Sequence, residues 1–150
     1  MPDILYEEDF VPRLAQKRIR VFAAIVDYIV LLGFFIFMGA VFGERYTPPG
    51  GGIGFRLTGM QPLIYIAFWF LAFPFMEGIT GQTLGKMLFK IKVVSKDFSY
   101  ASFAQAIARR LFDIVDWMPG LGIVGLLVAS NNNNKQRVGD LVAKTVVIIK

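Results

Sequence analysis

Residues 21–42 read VFAAIVDYIVLLGFFIFMGAVF, an apolar run whose only charged residue is Asp27. At 1.5 Å per residue, this run makes a helix about 33 Å long, enough to cross the hydrocarbon core of a bilayer. An ionised Asp deep in a bilayer costs roughly 2.5–3.5 kcal/mol on insertion scales. Each surrounding Leu, Ile, Phe or Val returns only about 0.3–0.6 kcal/mol. Insertion is still favourable, but the carboxylate needs a counter-charge, a proton or a wet cavity. An ionisable residue in such a helix is a functional-site candidate by default, so Asp27 heads the candidates.

Working outward, residues 13–20 (RLAQKRIR) place four basic side chains directly before the run, as a topology anchor does. Helix 1 is therefore predicted over 19–43, behind an N-terminal segment, 1–18, expected in the cytoplasm. Asp3, Glu7, Glu8 and Asp9 make its start acidic, and the apolar run is too long for the h-region of a signal peptide. Residues 44–60 carry Pro48, Pro49 and three consecutive glycines, which predicts an external loop. Helix 2 is predicted over 61–80, with Pro62 in its first turn and Pro74 inside it as a source of a kink. The segment 81–97 carries Lys86, Lys90, Lys92 and Lys96 beside Leu84, Met87, Leu88 and Ile91, the pattern of a cytoplasmic interfacial segment. KIKVVS within it and TVVIIK at 145–150 alternate as strands do. Neither stands alone, so they are expected to pair.

Residues 102–130 start with a helix that Ser102 can cap, break at PGLG (119–122) and resume in IVGLLVAS. Arg109 and Arg110 lie on one flank, and Lys135, Arg137, Lys144 and Lys150 on the other. Positive-inside logic puts both flanks in the cytoplasm and predicts a hairpin, either two short spans or a re-entrant pair. A single third span, with 131–150 outside, is the alternative. The expected class is an all-α membrane protein: two transmembrane helices, a C-terminal helical hairpin and a short cytoplasmic strand pair. On this reading 131–150 is a cytoplasmic tail, and the chain is a multi-pass protein of the cell membrane with both termini inside.

The composition agrees. With 55% hydrophobic residues in 150, the chain is too apolar for an ordinary soluble domain of this length, and its apolar residues come in blocks. It contains neither Cys nor His, which removes disulfides, imidazole and thiolate metal sites, Ser-His-Asp chemistry and Cys nucleophiles. No cofactor, metal or enzymatic reaction is implied. The net charge of +5 sits beside apolar segments, so anionic headgroups rather than nucleic acid are the expected partner.

Arg20 to Asp27 and Arg109 to Asp116 share one spacing, and both octets end Ile-Val-Asp. If the two helices run parallel, Asp27 and Asp116 lie at similar depth. Two carboxylates close together in a low dielectric cannot both ionise cheaply, which is the chemistry of a proton or monovalent-cation site. Chance similarity between apolar helices explains the same spacing. Glu77, at the end of helix 2, belongs either to this ion path or to an interfacial pair with Lys86.

The chain resembles the RDD family of small bacterial membrane proteins, named for one arginine and two aspartates. Arg20 and Asp27 are similar to the family's Arg and Asp of the first helix. GQTLGKMLFKIKVV (81–94), with Gly81, Gln82, Thr83, Gly85 and Lys86, is similar to its segment after the second span. KQRVGDLVAKTVVI (135–148), with Gly139, Asp140 and Thr145, is similar to its closing segment. The second named aspartate then maps to Asp140 rather than Asp116, and Lys144 stands where a glycine is common. The resemblance covers nearly the whole chain and implies a fold and a location more firmly than an activity. Transport of unidentified ligands, with cation–proton exchange for some members, has been proposed for the family. The leading expectation is a small transporter in which Asp27 is a proton or cation site positioned by Arg20, in a homo-oligomer. The alternative is a non-transporting membrane scaffold or partner subunit, with the buried Arg and Asp residues as structural glue.

Overall fold

The computed structural model describes residues 12–117 and 123–150. The acidic residues at the start of the N-terminal segment and the PGLG break lie outside the described residues. Helix α1 spans Lys17–Phe42, and α2 spans Gln61–Thr80 as one continuous helix. Both are long and apolar enough to cross a membrane. Their outward faces leave Phe22, Ile29, Leu32, Ile36, Ile64 and Leu71 exposed, surface that water would not tolerate as a continuous belt. Pro62 occupies the first turn of α2 as expected. Pro74 does not end the helix. It falls in a π-helical turn, Leu71–Phe75, where the wider hydrogen-bond spacing accommodates a residue with no N–H to donate.

The helices run antiparallel, and Phe34 stacks on Phe68 with centroids 3.8 Å apart. The loop between them is more ordered than its glycines predicted. Glu44–Tyr46 (β1) and Gly54–Arg56 (β2) form an antiparallel hairpin, and Gln61 Nε2 donates to the Phe42 carbonyl at 2.7 Å.

At the opposite, Lys17 end, Gly81 closes α2 in the left-handed region, with φ of 72°. A one-turn helix α3 (Leu84–Leu88) comes next, then strand β3 (Ile91–Ser95). The C-terminal half contributes α4 (Phe103–Trp117), α5 (Ile123–Ser130), a one-turn helix α6 (Val138–Val142) and strand β4 (Thr145–Ile149). Ser102 caps α4 with Gln105 reciprocating, at 3.3 and 2.8 Å. At 1.5 Å per residue α4 and α5 extend only about 22 and 12 Å, so neither alone crosses a core of about 30 Å. The predicted strand pair is present: β3 and β4 run antiparallel with Val93 opposite Val147. It is wider than expected, because residues before α1 join it: Ala15 N–H donates to Val147 O and Ile149 N–H to Arg13 O. The fold is thus mostly helical with two small sheets, where one was expected.

A repeat runs through the Lys17 end. At one constant offset, α3 maps onto α6, β3 onto β4, Gln82 onto Gln136, Gly85 onto Gly139 and Val93 onto Val147. Gln82 Nε2 donates to Ile91 O at 2.8 Å, and Gln136 Nε2 to Thr145 O at 2.7 Å. Lys90 and Lys144, also equivalent, both have φ of 52°. A left-handed backbone at Lys144 explains why glycine suits that position. Val93 pairs with its own equivalent, so the two units meet across an approximate two-fold axis. This is not the Arg20–Asp27 and Arg109–Asp116 repeat read from the sequence.

Candidate ionic site beneath the strand pair

Where α1, α2 and α4 meet the two one-turn helices, acids and bases are buried together. Asp27 is 6% exposed, so it does sit inside the protein. Its partners differ from those expected. The Thr83 hydroxyl donates to Oδ2 at 2.6 Å and the Gly85 amide to Oδ1 at 2.7 Å. Asp27 therefore caps α3 from another helix, supplying the acceptors that the first turn of a helix lacks. The fit demands glycine: a Cβ on Gly85 would lie 2.0 Å from the Ala23 carbonyl oxygen. Among the described residues no arginine or lysine forms an ion pair with Asp27.

Arg20 does not position Asp27. It donates instead to Asp140 and to the Lys135 carbonyl. The reason is geometric: Arg20 and Asp27 are almost two turns apart, whereas the α6 turn brings Asp140 directly to Arg20. Asp140 also accepts from the Arg137 amide at 3.1 Å, closing the N-terminus of α6, and lies 3.0 Å from Arg109. Arg109 spans the cluster, with Nε 3.0 Å from Glu77 Oε1 and a hydrogen bond to Thr145 Oγ1 at 3.0 Å. The Glu77 contact is an ion pair without hydrogen-bond alignment, since that oxygen has no aligned donor. Glu77 further receives Lys86 and, at 2.9 Å, Arg110, which also holds Asp113 at 2.8 Å. An alternating chain of charges, Arg20–Asp140–Arg109–Glu77 and onward to Lys86 and Arg110, ties five helices together.

Burial pushes the Asp140 carboxyl up, but Arg109, then Arg20 and Arg137, outweigh it and hold it far below the usual carboxylate range. Burial is the largest influence on Lys86 and lowers it to about 8, against the opposing pull of Glu77. For Asp140 the sign is clear. A depressed folded value gives stabilisation that is complete above the unfolded value of about 3.9 and is lost as pH falls below it. Unfolding scans from pH 7 down to about pH 2 should show the wild type losing stability mainly below about pH 4. Asp140→Asn should start lower and lose less. Identical slopes for the two proteins would remove the assignment.

Of the candidates, the site thus unites Arg20, Arg109 and Glu77 with the motif residues Lys86, Asp140 and Thr145, with Asp27 beside them on Thr83 and Gly85. The Asp116 side chain lies outside the described residues. Sequence reasoning does not single out Arg110 and Asp113 for this site; the adjacent Arg109–Arg110 pair is the available signal. A cavity of about 30 Å³ lies between Asp27, Lys86, Arg110 and Asp113, enough for one or two waters.

Two bilayer-length helices joined at one end by a buried ionic cluster and a strand pair point to a small membrane protein. The chain belongs to the RDD family, whose model matches residues 14–144. No curated protein and no solved structure matches it.

Proposed function

We propose that this chain is a non-transporting membrane scaffold or partner subunit, in which the buried Arg, Asp and Glu residues fasten two spans to a platform at the membrane surface. The observation that carries this reading is Asp27, whose two oxygens each accept a hydrogen bond from the α3 turn, from Thr83 and Gly85. To take up a proton or cation, Asp27 would have to share or release these bonds, and with them the helix they cap. Glu77 and Asp140 are likewise met by protein cations. Basic residues cluster at the Lys17 end, so that end lies in the cytoplasm, with both termini inside and the β1–β2 hairpin outside the cell membrane. The exposed faces of α1 and α2 meet lipid and a second copy of the chain, and no catalytic step belongs to this reading.

The second reading is transport of protons or monovalent cations, favoured by the water-sized cavity beside Asp27. Purified protein in liposomes under imposed pH, sodium and potassium gradients separates the two. The scaffold predicts no flux above empty liposomes. It also predicts that Asp27→Asn, which keeps an acceptor for Gly85, lowers stability by about 1 kcal/mol. Asp27→Leu strands two donors and should lower it by about 2–4 kcal/mol. Flux in wild type that Asp27→Asn abolishes while remaining folded would establish transport instead.

A further inference from the structure

We propose that the cleft lined by Gln82, Met87, Lys90 and Lys150 binds the phosphate of an anionic phospholipid. The cleft has a volume of about 330 Å³ and is separate from the ionic cluster. Its two lysines are held together by the backbone, because the Lys150 amide donates to the Lys90 carbonyl at 2.8 Å. Lys92 adds a third positive charge nearby: its ammonium lies 4.2 Å from the Tyr100 ring centroid, and partial burial, then repulsion from Lys150, lowers its pKa. Among the described residues no carboxylate forms an ion pair with Lys90, Lys92 or Lys150. The fold therefore sets two exposed lysines opposite each other along one cleft, where a bound anion would relieve their repulsion.

Free phosphate shares that chemistry, but the surroundings select a lipid. Leu84, Met87 and Leu88 on α3 are exposed beside the cleft, and Phe89 stacks on Phe22 near the start of α1, with centroids 6.2 Å apart. A headgroup held by the lysines leaves its acyl chains to cover this apolar surface, at the level where α1 enters the bilayer. The site does not depend on whether the protein transports anything.

Native mass spectrometry of the detergent-purified chain tests it, with phosphatidylglycerol, phosphatidylcholine and sn-glycerol 3-phosphate as probes. Wild type should retain phosphatidylglycerol at least tenfold better than phosphatidylcholine. Lys90→Gln/Lys150→Gln should remove that preference, while Arg18→Gln/Lys96→Gln, which removes the same charge elsewhere, should preserve it. Should the first double variant fail to fold, Lys150→Gln alone, at an exposed position, should lower retention about threefold. Equal losses in both double variants would reveal diffuse attraction and overturn the site. Displacement of the lipid by equimolar sn-glycerol 3-phosphate would also overturn it, in favour of a free-anion site.

Discussion

Glu77→Ala should destabilise the protein by about 3–5 kcal/mol, the loss expected when one partner of a buried ion pair is removed. Glu77 is 1% exposed and meets Lys86, Arg109 and Arg110 at once. Its removal leaves three cations in a low dielectric with Asp113 and Asp140 as the remaining acids in the chain of pairs. Buried ion pairs generally bring little net gain over an apolar core, because desolvation roughly offsets the attraction. The strength of the cluster shows only when one member is missing and the others stay buried without a partner. Glu77→Ala combined with Lys86→Ala should therefore lose less than the two single variants added together, since one stranded ammonium disappears with its acid. Unfolding by denaturant in detergent measures all three. Strict additivity would show that the pair is not coupled, and the interlocking of the cluster would fail with it.

The second large effect is expected at Gly85. An alanine Cβ would meet the Ala23 carbonyl oxygen at 2.0 Å and the Asp27 carboxyl carbon at 3.0 Å. The nearer obstacle is backbone within α1, which cannot swing aside as a side chain does. To admit a methyl, α3 must move away and release both hydrogen bonds to Asp27. Overpacking contributes about 1–3 kcal/mol and the lost bonds about 1 kcal/mol each, so Gly85→Ala should cost roughly 3 kcal/mol or more. Gly33→Ala is the contrast: nothing lies within 4 Å of its added Cβ. There the better helix propensity of alanine should leave stability unchanged or raise it by about 0.5–1 kcal/mol. Thermal unfolding of the two variants compares them directly, and a benign Gly85→Ala would mean that α3 does not lie flush on α1.

What could be read from the residues was what short-range physics dictates. Hydropathy gave both long helices within a few residues, Ser102 marked the start of α4, and two alternating stretches announced β3 and β4. Pro62 declared a first turn. Three-residue strands fall below any such signal, which is why the β1–β2 hairpin reads as a plain loop. The ionic cluster was legible only as a set of residue types. Arg20 and Asp140 stand 120 residues apart, and no periodicity joins them. The family motifs single out both residues without pairing them. Burial of Asp27 is legible in its apolar run, but a backbone amide and a hydroxyl as its partners have no sequence signature. The octets ending Ile-Val-Asp gave no hint of the α3–β3 and α6–β4 repeat, whose likeness lies in hydrogen bonds and backbone angles more than in letters.

The repeated α3–β3 and α6–β4 units differ in one respect that fixes where each copy can sit. Equivalent positions in the two units hold Lys86 and Asp140, opposite in sign and both buried. Each is neutralised from outside the repeat, Lys86 by Glu77 of α2, and Asp140 by Arg20 of α1 and Arg109 of α4. Exchanging the two side chains would set an acid against Glu77 and an ammonium against two guanidiniums. Likeness of backbone therefore does not make the copies interchangeable: the sign of its charge addresses each copy to its own surroundings.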